Sequence, residues 1–220
     1  MKIYPGLTTT KGDWRERIKE IEELRLEEIT FFPTCLSKEK RLKSYDLLEK
    51  SGVKKIPFMH LRSDMSEDEV DYLIREFKTE VFNIHSIGTH RLDHDLSKFK
   101  NMIYLENQSS EFQEGELDYW AGLCFDFSHL ENARINKLPV YDYFMAMANK
   151  YSCGCAHVNA IISQPGLGGH YDRHYYDNLK NFDYLAKYKD LMPEIIALEL
   201  ENTIAEQLKA KEYIESLISS

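Results

Sequence analysis

Met102-Ile103-Tyr104-Leu105-Glu106 and Leu123-Cys124-Phe125-Asp126 are short apolar runs that each end in a carboxylate. Four more stretches have the same form: Ile56-Pro57-Phe58-Met59-His60, Val81-Phe82-Asn83-Ile84-His85, Cys153-Gly154-Cys155-Ala156-His157 and Ile195-Ile196-Ala197-Leu198-Glu199-Leu200-Glu201. Each is strand-length, and stretches with helical spacing fill the intervals between them. The closing residues, from His60 through His85, Glu106, Asp126 and His157 to Glu201, lie 25, 21, 20, 31 and 44 positions apart. Those are the lengths of βα units.

The remaining elements extend the same alternation. Lys2 to Leu7 reads as a first strand and Glu28 to Phe32 as a second, stopped by Pro33. Asp13-Trp14-Arg15-Glu16 reads as a capping box opening a helix to Leu24, with Trp14, Ile18, Ile21 and Leu24 on one face. Leu42 to Lys50 reads as the second helix, and Ser66-Glu67-Asp68-Glu69 as a further capping box opening the third. Pro139 to Lys150 reads as a helix, as does the stretch from Phe182 to Tyr188, and Thr203-Ile204-Ala205-Glu206 caps the last one. Ser86 to Lys100 and Gly115 to Ala121 leave room only for short helices. Eight strands alternating with eight helical segments predict a compact α/β protein, a closed parallel (β/α)8 TIM barrel in a single domain over residues 1–220.

Side chains alternate along a strand. Phe58 therefore shares a face with His60, Asn83 with His85, Tyr104 with Glu106, Cys124 with Asp126, Cys155 with His157 and Glu199 with Glu201. Met59, Ile84, Leu105, Phe125 and Leu198 occupy the other face and suit packing under helices. The polar residues thus aim at one cavity at the C-terminal ends of the strands, where such barrels carry their active sites. His129, three residues after Asp126, and Asp172-Arg173-His174 bring the set to five histidines and four carboxylates. Carboxylates converging in one cavity repel one another unless cations offset the charge. Nitrogen and oxygen ligands without thiolate fit zinc or manganese and do not separate them; zinc, up to three ions, is the leading expectation and manganese the alternative. Three such ions would outweigh the four carboxylates and leave a pocket suited to an anionic or sugar-like substrate.

Composition excludes several other classes. With 220 residues and 43% hydrophobic content the chain can bury one sizeable core. Its formal net charge of −9 argues against a basic nucleic-acid sheath. No run approaches the roughly 18 apolar residues of a membrane span, and no secretory signal opens the chain, so a cytoplasmic protein is expected. Cys35, Cys124, Cys153 and Cys155 read as reduced thiols rather than a disulfide framework.

From the third strand onward the sequence resembles the endonuclease IV and xylose isomerase-like superfamily of barrels, AP endonuclease family 2. The most specific pieces are Asp126-Phe127-Ser128-His129 and Asp172-Arg173-His174, supported by Leu105-Glu106-Asn107, His157-Val158-Asn159 and Glu201-Asn202-Thr203. The resemblance implies a trinuclear site held by His60, His85, Glu106, Asp126, His129, His157, Asp172, His174 and Glu201. His85-Ser86-Ile87-Gly88 stands where the family has His-Pro-Gly, and the βα loops are too short for much insertion into a DNA groove. Abasic DNA is therefore a weaker candidate substrate than a small molecule.

The first functional expectation is phosphoester hydrolysis by a metal-activated water, with Glu106, Glu201 and Arg173 in catalytic roles. Surplus ligands beyond the needs of one ion favour it. The second is a sugar or sugar-phosphate isomerase or epimerase, with Glu106, Asp126, His157 and Glu201 around one metal and the two Glu passing a proton. A non-catalytic metal-binding barrel is the third. Tyr171, Tyr175 and His170 flank the Asp-Arg-His triplet as candidate substrate contacts, and His90 and His94 also fall near the mouth.

Overall fold

The structure is a computed structural model that describes residues 1–219. Its main sheet runs through β1 (Lys2–Tyr4), β2 (Gly6–Thr8), β3 (Thr30–Phe32), β4 (Phe58–His60), β5 (Val81–Ile84), β6 (Ile103–Glu106), β7 (Leu123–Asp126), β8 (Cys153–Val158) and β11 (Ile195–Leu198). β9 (Ala160–Ile161) and β10 (Asp172–Arg173) form a separate antiparallel pair in the loop after β8. The helices are α1 (Trp14–Glu23), α2 (Lys38–Lys50), α3 (Glu67–Phe77), α4 (Glu116–Tyr119), α5 (Phe127–Ile135), α6 (Val140–Lys150) and α7 (Ile204–Ile218). Among the described residues no helix is long and apolar enough to cross a membrane.

The predicted first strand is broken at Pro5, which has no N–H to give a neighbour. Its halves serve opposite edges. β1 pairs in parallel with β11, and β2 pairs in parallel with β3, so the sheet closes on itself through this strand as a TIM barrel. The seam is tight. A Cβ on Gly6 would lie 1.9 Å from the Leu198 carbonyl oxygen, so only glycine fits there. The Gln207 side chain of α7 stitches the seam: Gly6 N–H donates to its Oε1 at 2.7 Å, and its Nε2 donates to the carbonyls of Gly6 and Leu200, both at 3.0 Å.

Residue alternation sorts the core as the sequence implied. Phe32, Phe58, Val81, Cys124, Cys155 and Ala197, with Tyr104 and Ile195, fill the barrel interior beneath the site. Met59, Ile84, Leu105, Phe125 and Leu198 face the helices in the larger outer core.

Two expected capping boxes do not form. The Asp13 side chain makes no capping bond and instead lies 3.4 Å from Arg17. Ser66 likewise makes no side-chain capping bond, and the reciprocal leg is lost because the carboxylate of Glu69 is taken by the fully buried Arg41 (Nε to Oε1, 2.8 Å) and by Tyr45 Oη (2.9 Å). A buried guanidinium outbids a backbone N–H for a carboxylate. The third box, Thr203 with Glu206, is present. α5 follows β7 with no loop at all, an element the sequence did not announce.

Candidate metal centre

The strand ends bring their side chains together in register. Asp126 is the parallel partner of His157, and Ala197, two residues before Glu199, also pairs with His157. Three contiguous groups result in which ligand atoms lie within 4.8 Å of one another: His60, His85 and Glu106; Glu106, Asp126 and His129; Asp126, His157 and Glu199. Glu106 and Asp126 are each shared by two groups. Each group could hold a metal ion.

Glu106 Oε2 is the focus of the first group. Asn83 Nδ2 donates to it at 2.6 Å, and the Nε2 atoms of His60, His157 and His85 stand at 3.3, 3.3 and 3.5 Å. His60 Nδ1 lies 2.8 Å from the Leu61 carbonyl. Donation there fixes the tautomer and leaves Nε2 as a lone-pair ligand, an arrangement common in metal-bound histidine. The Nε2 atoms of His60 and His85 face each other at 3.2 Å.

Asp126 works at both oxygens. Oδ1 caps α5, accepting from the backbone N–H groups of Ser128 (2.7 Å) and His129 (3.0 Å). Oδ2 faces the site, with Asn159 Nδ2 at 3.2 Å and the Nδ1 atoms of His129 and His157 at 3.4 Å. Asn107 locks this strand end: it accepts from Asp126 N–H at 2.7 Å and donates to its carbonyl at 3.1 Å.

His157 is the deepest ligand, 1% exposed, resting edge-on against Phe32 with ring centroids 5.5 Å apart. Its Nδ1 is 2.9 Å from Glu199 Oε2 and its Nε2 is 3.3 Å from Glu106 Oε2. Neither contact has the alignment of a hydrogen bond, so both buried ring nitrogens lack a bonded partner. Buried polar atoms without partners are rare. Two orphaned imidazole nitrogens among three carboxylates fit a bound divalent cation.

The electrostatics follow from this crowding. Burial alone would raise the Glu106 carboxyl, but His157, His60 and His85 outweigh it and hold it well below the usual range. Burial would likewise raise Glu199, yet His174 and His157 bring it down to about 2. Burial would lower His157, and Glu106, Asp126 and Glu199 instead push it well above its ordinary value. His129 is raised in the same manner, burial being outweighed by Asp126, Glu106 and Asp172.

Glu201 is the main departure from expectation. β11 ends at Leu198, so Glu199 is the last side chain to face inward, and Glu201 lies beyond the barrel. It accepts from Thr10 Oγ1 at 2.7 Å and pairs with Lys11 Nζ at 3.0 Å. Asp172 adjoins the cluster through His129, with Oδ2 3.8 Å from Nε2. His174 sits beside Glu199, its Nδ1 3.2 Å from the Glu199 carbonyl and 3.8 Å from Oε1, outside the three ligand groups. Arg173 is exposed on the other face of β10, with its guanidinium close to Gly166. Tyr175 is exposed, and Lys11 Nζ sits 4.8 Å from its ring centroid. Tyr171 is half-buried, its N–H donating to Asn132 Oδ1, and exposed His170 stands 3.5 Å from Asp172. His90 lies tilted against His85 with ring centroids 5.0 Å apart, while His94 is exposed. Asn83 and Asn159, which steer the carboxylates, are not among the expected site residues, although Asn83 is legible as the inward neighbour of His85.

No protein-family model matches the chain, and no curated protein matches it. Solved structures do. A xylose isomerase domain protein from Alicyclobacillus acidocaldarius is 13% identical with a TM-score of 0.51, the match covering 99% of this chain and 98% of that one. A protein provisionally named xylose isomerase from Rhodospirillum rubrum is 12% identical with a TM-score of 0.50, covering 98% and 99%. Within this fold the endonuclease IV branch rests on the residues quoted above alone. The chain has the fold of the xylose isomerase-like TIM barrels.

Proposed function

We propose that the chain is a divalent-metal enzyme acting on a small sugar-like substrate, an isomerase or epimerase that moves a proton at a carbon next to a carbonyl. The observation that carries this reading is the way Glu106 and Glu199 divide their oxygens. Each turns one oxygen to His157, at 3.3 and 2.9 Å, and the other toward a more exposed histidine, His129 at 3.9 Å and His174 at 3.8 Å. Two carboxylates from different strand ends thus flank His157, Glu106 at Nε2 and Glu199 at Nδ1, and each keeps an oxygen for proton transfer. The names of the two solved barrels lend support.

Asp126, His157 and Glu199 would hold the cation, with Glu106 beside it, and when bound the cation would polarise the substrate carbonyl and acidify the adjacent C–H. Glu106 takes the carbon-bound proton while the electron pair moves toward the carbonyl oxygen. Glu106, protonated by that step, returns the proton to the neighbouring carbon, while the Glu199 carboxylate accepts the substrate hydroxyl proton and passes it to the former carbonyl oxygen, so both residues end as they began. Both carboxylates are ionised near neutrality, as the base role requires. Asn83 and Asn159 hold them in place through 2.6 and 3.3 Å hydrogen bonds.

The test is deuterium incorporation from D2O into small ketoses, aldoses and their phosphates by the metal-loaded chain, followed by NMR. Glu106→Gln and Glu199→Gln should each abolish it; exchange in neither sugars nor sugar phosphates by the wild type rejects the reading. One observation favours phosphoester hydrolysis as a second reading: His60, His85, His129 and Asp172 continue the ligand set beyond what a single ion needs. About three metals per chain with nicking of abasic DNA, and no exchange, would select it.

A further inference from the structure

A cavity of about 220 Å³ opens directly beside the first ligand group. Thr34, Arg62, Ser63 and His90 line it, together with His60, His85 and three aliphatic side chains. No Asp or Glu is among the described residues that line it, in a chain of net charge −9. Its polar wall is therefore made of hydroxyls and imidazoles around one permanent cation. The companion cavity across the site, about 200 Å³, is different in kind because Asp172 lines it.

Arg62 is held in place rather than loose. Its Nε donates to Asp64 Oδ1 at 3.0 Å, and its Nη1 donates to the Thr34 carbonyl. Asp64 is in turn bound by buried Arg41, at 3.0 and 3.1 Å, so its charge is divided between two guanidiniums. Among the described residues Arg62 Nη2 has no partner, and the side chain is 31% exposed. A fixed guanidinium with a free edge suits a phosphate oxygen.

We infer that this cavity is a phosphate subsite, so the substrate is a sugar phosphate whose phosphoryl group sits against Arg62 while its carbonyl end reaches the metal centre. The substrate identity rests on the sugar-like reading above; the subsite itself does not. The volume equals about seven water volumes, room for a phosphoryl group and its nearest carbons.

The experiment is calorimetric titration of the metal-loaded chain with inorganic phosphate, comparing wild type, Arg62→Gln and Arg62→Lys, with metal content and melting temperature measured alongside. The expected result is at least a tenfold loss of phosphate affinity in R62Q, partial recovery in R62K, and unchanged metal content. Equal affinity in wild type and R62Q means phosphate sits only on the metals, and overturns the subsite, as does no binding by wild type at millimolar phosphate. If R62Q fails to fold, Ser63→Glu places a carboxylate in the cavity and must also cost at least tenfold; retained affinity overturns the proposal. Phosphate binding that depends on Arg62, without deuterium exchange in any sugar, keeps the subsite and removes the isomerase reading. Exchange in free sugars without phosphate binding does the reverse.

Discussion

Loading the metal-free chain with a divalent cation at pH 7 should expel protons, and the number follows from the site. Without metal, burial would lower His157, but Glu106, Asp126 and Glu199 push it well above its ordinary 6.5 and favour its protonated form. His129 is also raised, against burial, by Asp126, Glu106 and Asp172, which favours its protonated form. A metal ligand must be neutral imidazole, so binding releases about one to two protons per chain. The sign is set by which state holds the proton. Metal-free protein binds it and metal-loaded protein does not, so metal affinity rises with pH, about tenfold per pH unit for each proton released. Isothermal titration with zinc at pH 7, in buffers of different ionisation enthalpy, reads the proton count from the slope of heat against that enthalpy. His129→Asn should leave about one proton. Zero release by the wild type would show that His157 is not a protonated ligand awaiting a cation, and the reasoning would fail.

Three further outcomes are expected. Glu199, lowered from 4.5 to about 2, stabilises the metal-free fold above pH 4.5 and loses that effect as pH falls toward 2. Raised His157 stabilises below its ordinary 6.5 and loses that effect as pH rises through its higher folded value, so the chelated protein's melting temperature should peak between about 4.5 and 6.5; a peak in alkali contradicts this. Glu199→Gln should abolish metal retention at the His157 group, whereas Glu201→Gln, which removes only the Lys11 pair, should keep metal content and cost about 0–1 kcal/mol of stability; metal analysis and urea titration separate them. Gly6→Ala, with its Cβ 1.9 Å from the Leu198 oxygen, should cost about 3 kcal/mol from overpacking and the loosened Gln207 bonds, read by urea unfolding; a loss under about 1 kcal/mol means the seam yields freely.

The sequence carried the facing of the barrel residues because alternation is local. Phe58, Cys124 and Cys155 lie in the interior beneath His60, Asp126 and His157 for the same reason that residues two apart on a strand share a face. It did not carry the choice between Glu199 and Glu201. Both face inward on an ideal strand, and the decision depends on where β11 leaves the sheet, which its pairing with β8 sets. α5 was hidden for another reason. It buries Phe127, Ser128, Leu130, Glu131, Asn132 and Ala133, polar and apolar alike, so it has no clean apolar stripe to read. The Asp13 and Glu69 carboxylates are drawn into ion pairs with Arg17 and Arg41, which local spacing does not register.

The seam and the site are coupled through the same few residues. Gln207 Nε2 donates to the carbonyls of Leu200 and Asn202 as well as Gly6, so it bends the chain away from the barrel just after Glu199. That bend is what carries Glu201 out to Lys11 and Thr10. Glu199 is meanwhile tied to the sheet by its own N–H, which donates to the Val158 carbonyl at 3.1 Å, directly beside His157. The barrel closes only because Gly6 lets β2 approach Leu198, one residue before Glu199. A change that opened the seam would therefore shift Glu199 against His157; under the proposed proton-transfer role, a displacement of about 1 Å would cost about a hundredfold in rate. The closure of the fold and the position of its second carboxylate are set by one contact.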